Sequence, residues 1–111
     1  MAAAAPDRAA ERSGVAVTES APNRYEVRGA LTFGTARRAL DAGRKAFAAA
    51  SGPIEVDLGG VAVSDSAGLA VLIEWLAWAR RSGRQIRLSH VPDALCAIAR
   101  ICELEELLRA P

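Results

Sequence analysis

The chain has 111 residues, 51% hydrophobic and 24% charged, enough for one hydrophobic core but not two. Fourteen Lys and Arg against thirteen Asp and Glu leave a net charge of +1, which excludes a nucleic-acid binder working through bulk charge. Aromatic residues are only 5%, so aliphatic side chains and alanine must build the core, and a binding or regulatory module is favoured over a two-domain enzyme.

Residues 1–13 are alanine-rich, broken by Pro6 and by charges, and are expected to form a disordered tail; a single domain is expected over residues 14–111. This start lacks a basic region followed by an apolar run, so no secretory signal is expected. Val15 to Thr18 is a β-prone run, and Ala21-Pro22-Asn23 signals a turn. Tyr25, Val27 and Gly29 then alternate with Glu26 and Arg28, which predicts a hairpin with a half-exposed second strand. Thr32 or Thr35 can cap a helix that reaches Ala50, with Leu40 and Phe47 apolar, before Ser51-Gly52-Pro53 stops it. Ile54 to Leu58 predicts a strand, followed by Gly59-Gly60 and Val61-Ala62-Val63. Ser64-Asp65-Ser66 opens a strong helix to about Arg81, closed by Ser82-Gly83. Ile86 to Leu88 is a strand, Pro92-Asp93 opens a helix to about Cys102, and Leu104 to Leu108 is a short apolar segment. The order ββαβαβα predicts an α/β fold: a mixed sheet of about four strands, the later ones parallel through right-handed crossovers, with helices packed on it.

The helix from Asp65 carries most of the information. At 100° per residue, Leu69, Leu72, Ile73, Leu76 and Ala79 share one face, the expected core stripe. Val71, Trp75 and Trp78 fall on another. Either a neighbouring segment covers them or they form an exposed aromatic partner patch; the enrichment of Trp at interface hot spots favours the patch. At the helix start, Ser64, Asp65 and Ser66 can all cap backbone N–H groups. Ala67 and Gly68 add almost no bulk. Either a strand packs closely there or a partner approaches the backbone, with the Ser66 hydroxyl at the centre of the contact. A helix N-terminus also favours a phosphate on that hydroxyl.

Enzyme chemistry finds little support. His90 is the one histidine and sits in a loop, so neither a Ser–His–Asp triad nor a metal site is assembled. Cys96 and Cys102 have no zinc spacing and are read as small buried apolar residues. Asp57 and Asp65 are read as a strand-end hydrogen-bonding group and a helix cap. Arg80, Arg81, Arg84 and Arg87 are read as compensation of a helix dipole and a solvated face, the alternative being a contact with an acidic partner or with lipid headgroups. No phosphate loop is present, and no cofactor is implied. No window approaches the ~20 apolar residues of a membrane span, so a cytoplasmic protein without direct membrane insertion is expected.

The run VDLGGVAVSDSAGLAVLIEWLAWARRSGRQIRL, with Asp57-Leu58 and Asp65-Ser66-Ala67-Gly68-Leu69, resembles the signature of the STAS domain. That family spans sulphate transporters and anti-sigma-factor antagonists. Its pattern is an Asp-bearing strand end, a D-[ST]-x-G-L loop opening a helix, then a glycine and a strand. Gly29-Ala30-Leu31 echoes its G-x-L after the second strand, so the resemblance covers about residues 14 to 108. The helix run and the ending VPDALCAIARICELEELL look most like the MlaB-type subunit. The resemblance implies a non-catalytic regulatory subunit on the cytosolic ATPase of a phospholipid ABC transporter that maintains outer-membrane lipid asymmetry. Its partner is then the ATPase subunit within an ATPase–permease–substrate-binding complex, which places the chain peripheral to the inner membrane. The alternative is an anti-sigma factor antagonist whose partner kinase phosphorylates Ser66. Thr32 stands where kinase-linked members tend to keep a carboxylate. The resemblance makes Ser66 the partner-binding or phosphorylatable residue. Asp65, Ala67, Gly68, Val71, Trp75 and Trp78 complete the expected partner surface.

Overall fold

In the computed structural model, which describes residues 14–109, β1 (Val15–Ala21) and β2 (Arg24–Leu31) form a hairpin around Pro22-Asn23. Asn23 takes a positive φ of 61°, a conformation that asparagine tolerates better than most residues. There follow α1 (Ala36–Ala48), β3 (Ile54–Ser64), α2 (Ser66–Arg81), β4 (Ile86–Ser89), α3 (Asp93–Ile101) and α4 (Glu105–Arg109). The sheet order is β1-β2-β3-β4; the hairpin is antiparallel and the other two pairings are parallel. This is the predicted order, with the Leu104–Leu108 segment resolved as the short α4. The expected tail over residues 1–13 lies outside the described residues.

Alternation along the strands decides which face is covered. Tyr25, Val27, Ile54, Val56, Leu58 and Ile86 are buried, while Arg24, Arg28 and Arg87 on the opposite parity are exposed. The buried set forms one cluster with Phe47 of α1, Leu72 and Trp75 of α2, Leu95 of α3 and Leu108 of α4. The helices therefore form a single layer on one face. The other face carries charged side chains, among them Arg24 paired with Glu55 at 3.3 Å.

Two expectations need correction. β3 does not stop at Leu58: it runs through Gly59-Gly60 to Ser64. The register against β2 shifts between Glu26 and Arg28 and again between Gly29 and Ala30. At the first irregularity a Cβ on Gly60 would press on the Val27 carbonyl and the Arg28 side chain, so glycine keeps the strands paired there.

The phase of α2 is the second correction. Leu69, Leu72 and Ala79 are buried as expected, but Ile73 and Leu76 are only half-buried. Val71 and Trp75, expected in an exposed patch, are each 1% exposed, and Trp78 is half-buried against the core. The reason is a second neighbour: α2 packs on the sheet below and on α1 beside it. Gly43 of α1 leaves the space that the Trp75 indole fills, since any Cβ there would collide with the ring. Phe47 meets Trp75 edge-on at 5.3 Å and Tyr25 at 5.4 Å, joining both helices to β2 through aromatic contacts.

Candidate functional site

The carboxyl ends of β2 and β3 and the start of α2 meet at one end of the domain. Asp65 joins them. It is the N-cap of α2 in extended conformation, and its Oδ1 accepts hydrogen bonds from the N–H groups of Ala67 (2.9 Å) and Gly68 (3.2 Å). Its Oδ2 accepts the Phe33 N–H at 3.0 Å, across a gap of 32 residues in sequence. Its own N–H donates to the Leu31 carbonyl at 3.2 Å. Gly68 is buried against that same carbonyl, and a Cβ there would overlap the Leu31 oxygen. Leu69, next in the chain, enters the core.

The motif Asp65-Ser66-Ala67-Gly68-Leu69 thus reads as cap, exposed hydroxyl, small residue, strand–helix seam and core anchor. Of the two readings of Gly68, close packing is the one observed: it faces Leu31, and it is not open to an approaching partner. Ala67 is half-buried. Asp65 is half-buried and turned onto three backbone N–H groups, so it positions the site. Ser66 is exposed, and no hydrogen bond of its hydroxyl is found among the described residues. Asp65→Ala removes the cap and the tie to the loop before α1. It is expected to lower stability by about 1–2 kcal/mol and to speed amide exchange at Phe33; exchange rates at 33 matching wild type would contradict the tie.

That loop holds two features the sequence reading missed. Thr35 occupies the N-cap position of α1 without a side-chain cap bond. Its buried hydroxyl instead donates to the Ala30 carbonyl at 2.7 Å and accepts the Thr32 N–H at 3.0 Å. Between them Phe33 stands 86% exposed, and Val63 at the end of β3 is 38% exposed. A lone aromatic in the loop Thr32-Phe33-Gly34-Thr35 was the available signal.

Asp57 and Asp65 do not act as a carboxylate pair. Asp57 lies on the open sheet face, where its Oδ1 accepts the Gly59 N–H at 2.8 Å and lies 3.0 Å from His90 Nδ1. The Gly59 N–H foremost, then His90 and Arg24, hold the Asp57 carboxyl below its ordinary range against a partial desolvation. A carboxyl lowered on folding stabilises the domain above its unfolded pKa, near 4, and this contribution is lost as pH falls through the lower folded value. Asp57→Asn is therefore expected to reduce the loss of stability below about pH 4, measured by denaturant melts across the acid range; an unchanged acid slope would contradict it. Arg84, read as part of a solvated basic group, donates to the carbonyls of Ala50 (2.6 Å) and Gly52 (3.2 Å) and ties the turn after α2 to the end of α1.

The family model described as "Mlab, STAS domain" matches residues 13–109. Among solved structures, a sulfate transporter family protein from Wolinella succinogenes is similar, with a TM-score of 0.59 and 26% identity. The match covers 77% of this chain and 69% of that one. The comparison with curated proteins finds no match.

Proposed function

The chain belongs to the MlaB-type STAS domain family, and from that premise we propose that it is a non-catalytic regulatory subunit docking on the cytosolic ATPase of a phospholipid ABC transporter. The observation that carries this is the Ser66 end of the domain. A capped helix start presents an exposed hydroxyl that has no partner among the described residues, beside Phe33 and Val63. Such a surface is suited to a close protein contact in which the hydroxyl is desolvated and hydrogen-bonded across the interface. Among the described residues no helix is long and apolar enough to cross a membrane, so association with the membrane would run through the partner.

Co-expression of the chain with the ATPase and permease of the transporter tests the reading. The three are expected to co-elute in detergent, and omission of the chain is expected to lower ATP hydrolysis by the remaining complex. A chain that elutes alone, and that acquires a phosphoryl group on Ser66 from a small partner kinase instead, would assign it to the anti-sigma factor antagonists.

A further inference from the structure

We infer that Phe33 is an apolar anchor that inserts into a nonpolar recess of the partner protein meeting Ser66; this rests on the proposed function and adds the chemistry of the contact. A phenylalanine left in water forgoes the transfer free energy its burial would release. Here the exposure is built in. The Thr35 hydroxyl bonds Thr32 N–H and the Ala30 carbonyl, Thr35 N–H bonds the Thr32 carbonyl at 3.0 Å, and Asp65 holds Phe33 N–H. These bonds fix the loop from both sides, so the ring is held outward by the same residue that caps α2.

The surroundings define the partner. Across residues 30–36 and 61–73, Asp65 is the one charged residue, and its carboxylate faces inward. Ala62, Val63 and Ala70 are exposed beside Ser66. The surface around Ser66 is thus largely apolar, with the half-buried Thr32 and Ser64 at its edge and the Arg38 guanidinium beside the ring, donating to the Gly34 carbonyl at 3.3 Å. A cationic pocket would find no carboxylate to meet. A lipid bilayer would bury the Ser66 hydroxyl without a partner. A folded protein with a nonpolar recess and a polar group for Ser66 satisfies both features.

Titration of the purified ATPase subunit with wild type, Phe33→Ala, Phe33→Leu and Ser66→Glu separates the outcomes. Phe33→Ala is expected to bind roughly tenfold or more weakly, in hot-spot range, with unchanged melting temperature, and Phe33→Leu to recover most of the affinity. Phe33→Ala binding like wild type while Ser66→Glu fails would overturn the anchor and leave the proposed function standing. Wild type failing to bind the ATPase would overturn that function and the anchor with it. Phe33-dependent binding to anionic phospholipid vesicles without the ATPase, or Phe33-dependent dimerisation in sedimentation, would equally overturn the protein pocket.

Discussion

Trp75→Ala is expected to destabilise the domain by about 3–5 kcal/mol, the range for truncating a large buried aromatic. The indole is 1% exposed, fills the space over Gly43 and meets Phe47 edge-on. Removing it leaves a cavity between α1 and α2 that neither helix can close, because α1 is also held to β2 through Tyr25, whose hydroxyl donates to the Ala46 carbonyl at 3.0 Å. A fall in melting temperature of more than about 12 °C is expected for a domain of this size. Trp75→Phe should cost less, because it keeps a ring in the cavity and removes an indole N–H buried without an acceptor. Loss of under about 1 kcal/mol for the alanine variant would contradict the packing described.

Ser66→Glu is expected to abolish partner binding while leaving stability unchanged or slightly raised. The two effects have different origins. Ser66 is the first residue of α2, where a carboxylate complements the helix dipole and contributes about 0.3–1 kcal/mol. Across a fitted interface the same charge would be desolvated next to an apolar surface, a large cost unless the partner supplies a cation. Ser66→Thr keeps the hydroxyl and should retain binding. Opposite signs for fold and binding in one variant distinguish a contact residue from a structural cap, a role Asp65 already fills.

The element order was legible because turn and cap residues punctuate it: Pro22-Asn23, Gly52-Pro53, Asp65 and Gly83 each stand at a boundary. The family was legible in Asp65-Ser66-Ala67-Gly68-Leu69, and the geometry shows why those residue types recur together: cap, hydroxyl, close seam and core leucine. The phase of α2 was misread because a 100° periodicity assumes one buried face. α2 has several, toward the sheet, toward α1 on one side and toward α3 and α4, so apolar residues surround most of it. The available clue was Gly43, a glycine inside a helix, which marks a place where a large side chain from elsewhere enters. The glycine pair in β3 was misread for a related reason: it permits an irregular pairing to continue, where a break was expected. Phe33 was missed because the bonds that hold it outward run from Thr35 and from Asp65, residues that look like ordinary caps in sequence.

We propose that the Ser66 end of the domain is the contact surface for the transporter ATPase. Calorimetric titration of the purified ATPase subunit with wild type and Ser66→Glu, each matched by a thermal melt, tests it most directly. Saturable binding by wild type, none by Ser66→Glu, and melting temperatures that agree or rise slightly in the variant are the predicted result. Equal binding by both proteins would contradict the claim and reduce Ser66 to a solvent-exposed residue of the first helical turn.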